Sequence, residues 1–273
     1  MSLSGDDIDL YTSFAERLAD AARAETLPRF RAGTRVVNKA GIWFDPVTEA
    51  DREAERAQRR LIAAAFPKHG VIGEEFGADA PDAPLRWVLD PVDGTRGFIC
   101  GVPTWTTLVA LEDNETPIIG VIDQAYTDER WIGAPAGTVF VRDGARTPCR
   151  VSDVDDLARA RISTTDPRST AFFTSGEAQA FERVAAAARV ARFGLDAYAY
   201  ALLASGELDL VIEAGLQHYD YAALKPVIEG AGGVLTDWNG GPVDAAARGR
   251  TLAAATPALH AEAMAVLNAD GGF

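Results

Sequence analysis

Two aspartates lie three positions apart in the segment DPVDGT, which begins at Asp90. The run Arg86–Leu89 before it predicts a buried strand, and Pro91 is expected to end that strand because proline cannot donate a hydrogen bond to a neighbouring strand. Asp90 would then stand at the carboxyl end of a strand, where sites of α/β proteins usually lie. The fixed backbone angle of Pro91 would hold the Asp90 and Asp93 carboxylates and the Val92 carbonyl around one point. The segment therefore predicts a site for a hard cation.

The segment continues into Gly94 and Thr95, two residues suited to an anion. Gly94 allows the backbone to approach a ligand closely, and the N–H groups of both residues, if they open a helix, would bind phosphate. Oxygen ligands beside an anion site suit Mg²⁺, because substrate phosphate often completes its coordination shell. The simpler alternative is an ordinary turn, since Asp, Pro and Gly are common turn residues.

The spacing excludes two similar motifs. Phosphatases that form an aspartyl phosphate use D-x-D-G-T, but Pro91 occupies the position of the nucleophilic aspartate and cannot attack phosphorus. An EF-hand loop needs acidic residues at its first, third and fifth positions, which this segment does not provide.

Three further carboxylates are candidates to complete a metal site: Asp51, Glu74 and Asp220. Each also has a simpler interpretation. Asp51 and Asp220 could be helix-start acids that complement the helix dipole. Glu74 is followed by Glu75, and one of these two adjacent glutamates is expected to be solvated.

The apolar spacing predicts an amphipathic helix from Asp7 to about Ala32 and a second helix from Thr48 to about Pro67. Strands are expected at Val71–Ile72, Arg86–Leu89, Thr106–Leu111, Pro117–Ile122 and Thr138–Val141. Beyond these, strands at Ala160–Thr164, Val190–Phe193 and Leu208–Ile212 alternate with helices near Gly176–Ala188, Ala197–Ser205 and Tyr219–Ala231. Pro226 predicts a kink in the last helix. This alternation favours a layered α/β fold, with two closely packed halves at residues 1–145 and 146–273.

Composition excludes several classes of protein. The chain has 273 residues and a formal net charge of −14, and it shows no basic stripe, so we expect no nucleic-acid partner. Its two cysteines are too few for a disulfide framework. The opening stretch MSLSGDDIDLYTSF has neither a basic nor an apolar segment, and no run of 18 apolar residues occurs. We therefore expect a cytoplasmic protein without membrane contact.

Four motifs in order, VTEAD, IGEE, LDPVDGT and YDYAA, resemble those of the inositol monophosphatase family of Mg²⁺-dependent, lithium-sensitive phosphomonoesterases. The resemblance runs from about residue 39 to about 240. It implies an αβαβα sandwich, a homodimer, two or three Mg²⁺ ions per active site and a small phosphate ester as substrate. By motif, Glu74, Asp90 and the Val92 carbonyl would bind one ion, and Asp90, Asp93 and Asp220 a second. Glu74 also counts among the catalytic residues, together with Asp51 and Thr95, which match the pair that activates the attacking water. The backbone of Gly94 and Thr95 would bind the phosphate.

The distal stretch from Phe193 to Gly240 is similar to the histidinol-phosphatase branch of that family, which shares the strings GxDxYAYxLL, YDxxAL and PVIEGAGG. Histidinol phosphate carries an ammonium group and an imidazole, and Asp196 and Glu213 lie where the family contacts substrate, so charge pairing would favour this cation. Asp196 could instead cap a helix, and Glu213 could be a solvated strand end. The alternative functions are hydrolysis of an inositol, sugar or nucleotide phosphate, and metal binding without catalysis.

Overall fold

The structure is a computed structural model that describes residues 3–33, 36–38, 46–244 and 248–271. The start of the motif series near residue 39 lies outside these residues. The described helices are α1 (Gly5–Thr26), α2 (Glu49–Ala65), α3 (Thr95–Ile99), α4 (Ser175–Ala187), α5 (Tyr198–Ala204), α6 (His218–Tyr221), α7 (Leu224–Gly230) and α8 (Pro257–Leu267). The described strands are β1 (Val36–Asn38), β2 (Pro46–Thr48), β3 (Gly70–Gly73), β4 (Gly77–Asp79), β5 (Leu85–Asp93), β6 (Thr106–Asp113), β7 (Thr116–Gln124), β8 (Glu129–Ala134), β9 (Gly137–Arg142), β10 (Ala145–Pro148), β11 (Arg161–Thr164), β12 (Val190–Phe193), β13 (Leu210–Glu213), β14 (Val234–Thr236) and β15 (Thr251–Ala254).

The larger sheet has eight strands in the order β10-β9-β8-β7-β6-β5-β3-β4. From β5 to β10 it is an antiparallel meander. β3 runs parallel to β5, with Gly73 opposite Leu89. Because Gly73 and Leu89 lie side by side on parallel strands, the residues that follow these two, Glu74 and Asp90, are brought to one place.

The smaller sheet has five strands in the order β12-β11-β13-β15-β14. β11 lies parallel to both β12 and β13, and β15 runs antiparallel to β13. The two sheets use separate stretches of chain, since the larger one ends with β10 and the smaller one begins with β11. The predicted boundary between residues 145 and 146 falls within β10, and the division into two halves remains a prediction.

Alternating side chains on the strands divide the core into three layers. On one face of the large sheet, Trp87 and Leu89 of β5 pack with Leu18 of α1 and Ile62 of α2. The opposite face contributes Val88, Leu108 and Ala110, which pack with residues of α5 and α7 and with Val211 of the small sheet. The far face of the small sheet packs on α4 and α8 through Leu210, Ile212, Phe181 and Leu259. The order of layers is therefore αβαβα, as predicted.

The prediction that the strand before the DPVDGT segment ends at Pro91 is wrong. β5 continues to Asp93, but its pairing with β6 shifts between Asp90 and Asp93, so that two residues of β5 face one of β6. A bulge of this kind leaves one residue outside the hydrogen-bond ladder, which accommodates the missing N–H of proline. The hydroxyl of Thr107 fixes the bulge by donating to the Pro91 carbonyl at 2.7 Å.

The predicted helix Tyr219–Ala231 is divided into α6 and α7, and the expected kink at Pro226 is wrong. Pro226 lies in the first turn of α7, where a backbone N–H has no partner within the helix, so proline costs little there. The first helix also ends earlier than predicted, because Thr26 is followed by a 3₁₀ turn, Leu27–Arg29, that contains Pro28.

Candidate active site

A cavity of about 400 Å³ lies where the end of β5 meets the start of α5, the end of β13 and α6. Nine of the ten residues selected from the sequence line it: Glu74, Asp90, Val92, Asp93, Gly94, Thr95, Asp196, Glu213 and Asp220. The tenth, Asp51, lies behind Thr95. Residues separated by more than a hundred positions in the chain are thus brought to one concave site.

Three carboxylates form the acidic centre of this cavity. One oxygen each of Asp90, Asp93 and Asp220 lies within 4.8 Å of the others. The bulge in β5 presents the first two, and backbone N–H groups hold them: Val92 donates to Asp90 at 3.1 Å and Ala197 to Asp93 at 2.7 Å. Asp220 comes from α6, where the N–H of Gln217 donates to its carboxylate at 2.6 Å. Asp220 is therefore a helix-start acid and a member of the cluster at once.

Burial and mutual repulsion destabilise the charges of this cluster. Burial, together with the charges of Glu74, Asp93 and Asp220, raises the pKa of Asp90 well above its ordinary value. The pKa of Asp93 is raised in the same way by burial and by its acidic neighbours. Burial raises the pKa of Asp220 to about 7.

Among the described residues, no ion pair joins Asp90, Asp93 or Asp220 to an arginine or a lysine. Buried carboxylates keep their charge when a cation compensates them. Hard oxygen donors this close together suit a divalent cation such as Mg²⁺. The donor set therefore fits the metal site predicted from the sequence.

Asp51 and Thr95 form a pair beside the cluster. The backbone N–H and hydroxyl of Thr48 donate to Asp51 Oδ2 at 2.9 Å and 2.5 Å, which forms a capping box at the start of α2. Asp51 Oδ1 faces Thr95, whose hydroxyl lies 3.4 Å away and also 3.0 Å from the Val92 carbonyl oxygen. Burial raises the pKa of Asp51 to about 6. The Asp51 carboxylate therefore stabilises the start of α2 with one oxygen and offers the other oxygen as an acceptor to the Thr95 hydroxyl.

Gly94 has a left-handed backbone, with φ of 78°, and immediately precedes α3. A Cβ atom at this position would lie 3.0 Å from Asp196 Oδ2. Any other residue would therefore combine backbone strain with crowding of Asp196. This close approach explains the glycine in the DPVDGT segment.

The alternative interpretations of Asp196 and Glu213 are both wrong. Asp196 has φ of 50°, and the N–H of Ala197, the residue at the start of α5, is bound by Asp93. Glu213 is 2% exposed and accepts hydrogen bonds from the Thr164 hydroxyl at 3.1 Å and from the Thr165 N–H and hydroxyl at 2.6 Å and 2.8 Å. Burial raises the pKa of Asp196 to about 6 and that of Glu213 to about 8. Glu213 is thus a buried acid and Asp196 a partly buried acid on the cavity wall.

Ten further described residues line the cavity and were not predicted from the sequence, among them Arg96, Thr165, Phe172, Tyr200 and Gln217. The guanidinium of Arg96 lies over the Phe172 ring, 4.7 Å from its centroid, and its charge opposes the raised pKa of Asp196. Arg96 could have been predicted as a site residue, because it directly follows the DPVDGT segment. Phe172 could not have been predicted in this way, because it lies in a stretch of sequence without a motif.

The raised pKa of Glu213 predicts how the metal-free protein responds to pH. Because folding raises this pKa from an ordinary 4.5 to about 8, the contribution of Glu213 to stability is complete below pH 4.5 and is lost as pH rises through 8. Wild-type protein in EDTA should therefore lose stability relative to Glu213→Gln between pH 5.5 and 7.5, by at most about 1.4 kcal/mol per pH unit. Urea unfolding at several pH values measures the difference.

The two proteins share His69 and His260, whose pKa values are lowered by burial. These histidines make the folded state less stable as pH falls, which is opposite to the effect of Glu213. Because both proteins contain them, their contribution cancels in the difference between the two stability profiles. Parallel pH profiles for the two proteins would show that Glu213 does not titrate as proposed.

None of the described helices is both long enough and apolar enough to cross a membrane.

The sequence model of the inositol monophosphatase family matches residues 7–270 of the chain. The bifunctional phosphatase IMPL2 (chloroplastic) of Arabidopsis thaliana is 42% identical over 245 residues, which are 87% of this chain and 67% of that protein. A histidinol-phosphatase of Mycobacterium tuberculosis is 36% identical over 261 residues, 92% of this chain and 96% of that protein. The structure of an inositol monophosphatase from Zymomonas mobilis superposes with a TM-score of 0.85 at 36% identity, covering 97% of this chain and 100% of that one.

Proposed function

The chain belongs to the inositol monophosphatase family and is a phosphoric monoester hydrolase, and on that premise we propose that it hydrolyses L-histidinol phosphate to L-histidinol and phosphate with the aid of Mg²⁺. The family supports the chemistry of the reaction. The alcohol part of the substrate has to be inferred from the cavity, because a histidinol-phosphatase and an inositol monophosphatase are both 36% identical to this chain.

The observation that carries the choice of substrate is the acidic excess of the cavity. Of the residues that the structure describes, six acidic side chains line it (Glu74, Asp90, Asp93, Asp196, Glu213 and Asp220), against one basic side chain, Arg96. Two divalent cations would compensate four of these charges, and Asp196 and Glu213, with Arg96 beside Asp196, would leave one net negative charge for the cationic part of the substrate. An ammonium or imidazolium group pairs with such carboxylates through charge-assisted hydrogen bonds, whereas a neutral polyol does not.

We propose that Glu74, Asp90 and the Val92 carbonyl hold one Mg²⁺ and that Asp90, Asp93 and Asp220 hold a second. Bound Mg²⁺ supplies Lewis-acid stabilisation of phosphate oxygens and lowers the pKa of a bound water. A third ion and inhibition by lithium are further expectations from the family.

The chain's own groups would carry the proton. Thr95 would orient the attacking water, and Asp51 would accept its proton through the Thr95 hydroxyl. The N–H groups of Gly94 and Thr95 would hold the phosphate in line for displacement. Glu74, as a metal ligand beside this pair, would orient the same water. A protein that only binds metal has no need for Asp51 and Thr95 in contact, which disfavours a non-catalytic role.

The proposed contact with the cationic group of the substrate is tested by Asp196→Asn and Glu213→Gln. Each should raise KM for histidinol phosphate about tenfold or more, since a hydrogen bond to a charged group contributes about 1.5–3 kcal/mol. KM for an uncharged aryl phosphate should change less than about twofold. Steady-state phosphate release with both substrates at saturating Mg²⁺ measures the two effects.

Glu207→Gln provides the control, because this glutamate carries the same charge and its side chain is 70% exposed on the surface. It should leave both KM values unchanged. Equal changes for the two substrates in Asp196→Asn and Glu213→Gln would count against recognition of a cation, and would leave inositol 1-phosphate or another sugar phosphate as the alternative substrate.

We also propose that the protein acts as a homodimer in the cytoplasm. The dimer is an expectation from the family. The compartment is proposed from the two free cysteines, Cys100 and Cys149, which suit a reducing environment.

A further inference from the structure

Glu55 is a fully buried carboxylate one turn beyond Asp51 on α2. Residues four apart in a helix share one face, so both side chains point from α2 towards the edge of the large sheet. Asp51 faces Thr95, whereas Glu55 faces the turn that follows β3. An ionised carboxylate in such a position needs several hydrogen bonds to offset its loss of water.

The turn after β3 supplies them. The N–H of Glu75 donates to Glu55 Oε2 at 2.7 Å, and the N–H of Phe76 donates to Oε1 at 3.3 Å. The preceding N–H, that of Glu74, donates to the Leu89 carbonyl at 3.2 Å, next to Asp90. Three successive N–H groups of this turn are therefore bound, two of them by a single side chain.

Gly73 explains how the carboxylate reaches the turn. A Cβ atom at this position would lie 2.0 Å from Glu55 Oε1, closer than any real contact. A glycine at the end of β3 therefore leaves the space in which the Glu55 carboxylate lies against the backbone.

Arg59, one further turn along α2, compensates the charge of Glu55. Its Nε donates to Glu55 Oε1 at 2.7 Å, one terminal nitrogen donates to Asp79 Oδ2 at 2.7 Å, and the other donates to the Gly77 carbonyl. The turn that follows β3 and the strand β4 are thus attached to the same face of α2. Glu75 is also held on this side, since its side chain is 2% exposed and lies 3.9 Å from Arg52, which corrects the expectation that one of the two glutamates is solvated.

We infer that Glu55 is a positioning residue that holds the Glu74 turn in the conformation that aims Glu74 at the metal site. The inference rests on the proposed function, because it assigns Glu74 to the first Mg²⁺. If Glu55 has this role, the face of α2 that carries Asp51 and Glu55 sets two positions. It places Asp51, which activates the water, and it also places Glu74, a metal ligand that follows β3. Groups that orient metal ligands typically change metal affinity 10- to 100-fold when they are replaced.

The test is Glu55→Gln, which keeps the shape of the side chain and removes its charge. The matched control is Glu53→Gln, the same change on the same helix in a surface pair with Arg56. Calorimetric titration with Mg²⁺ should show binding at least about tenfold weaker in Glu55→Gln and unchanged in Glu53→Gln. At saturating Mg²⁺, KM for the phosphate ester should change less than about twofold in both.

Hydrogen exchange provides a readout that needs neither metal nor activity. Phe76 is 41% exposed, yet its amide and that of Glu75 should exchange slowly in the wild-type protein and faster in Glu55→Gln. Fast exchange of both amides in the wild-type protein would overturn the inference, even if the variant did not fold.

The inference and the proposed function fail in different ways. If the wild-type protein binds Mg²⁺ and releases phosphate, and Glu55→Gln does both with the same Mg²⁺ dependence, the positioning role is wrong and the function stands. If the wild-type protein neither binds Mg²⁺ nor releases phosphate, the proposed function is wrong and the role of Glu55 falls with it. A general loss of folded protein in Glu55→Gln would lower kcat without moving the Mg²⁺ titration of the folded fraction, and that outcome also contradicts positioning.

Discussion

Asp93→Asn should lower Mg²⁺-dependent kcat/KM at least about 10³-fold, which corresponds to about 4 kcal/mol of transition-state stabilisation. The reason is that Asp93 would share the second metal with Asp90 and Asp220, and a neutral amide is a poor substitute for a carboxylate ligand. Asparagine can still accept the hydrogen bond from the Ala197 N–H. The loss should therefore come from metal binding and not from a displaced loop.

The same variant should not destabilise the metal-free protein. Because burial and acidic neighbours raise the pKa of Asp93, its charge opposes folding at neutral pH, and removing that charge stabilises the folded state in EDTA. Thermal unfolding with and without Mg²⁺ should then show an equal or higher Tm for the variant without metal and a smaller increase when Mg²⁺ is added. Asp143→Asn, at a side chain that is 87% exposed, serves as the control. Unchanged activity and metal binding in Asp93→Asn would mean that the metal assignment is wrong.

Asp51→Asn should lower kcat about 10²- to 10⁴-fold, the usual contribution of a general base. Asparagine is a good acceptor for the Thr48 N–H, so α2 should keep its start, but the amide cannot take a proton from the Thr95 hydroxyl. Mg²⁺ affinity should change less than about threefold, in contrast to Asp93→Asn. Single-turnover phosphate release at saturating Mg²⁺ separates the chemical step from binding.

Thr95 offers the matched pair of variants for this role. Thr95→Ser keeps the hydroxyl 3.4 Å from Asp51 and should retain most of the activity, whereas Thr95→Val removes the hydroxyl at nearly constant volume and should resemble Asp51→Asn. A Thr95→Val protein with wild-type kcat would rule out proton transfer through this hydroxyl.

The layered fold was predictable because the apolar residues alternate in strands and repeat at helical spacing over long segments. The strand Val190–Phe193 and the start of α2 at its capping box agree with the prediction. β8 was missed, since the short run that includes Arg130 and Trp131 mixes charged and apolar residues. The bulge at Pro91 could not be predicted, because it depends on pairing with β6, which local sequence does not specify.

The candidate site was predictable where a motif is contiguous and much less so where packing decides. Asp90, Asp93 and Gly94 belong to one segment, and the order of motifs added Asp51, Glu74 and Asp220. Asp196 precedes α5, and its position suggests a helix cap. Its left-handed backbone shows that it does not cap that helix. Glu55 was missed altogether, since a glutamate in a charged helix looks solvated until the fold places the β3–β4 turn against it.

The most direct test is phosphate release by the purified wild-type protein, with and without Mg²⁺, from histidinol phosphate, inositol 1-phosphate, a sugar bisphosphate and an adenosine bisphosphate. We predict Mg²⁺-dependent release with kcat/KM for histidinol phosphate at least about 10²-fold above the others, which corresponds to about 2.7 kcal/mol of discrimination. Comparable rates for all four esters would contradict the substrate. No release from any of them would contradict the phosphatase activity itself.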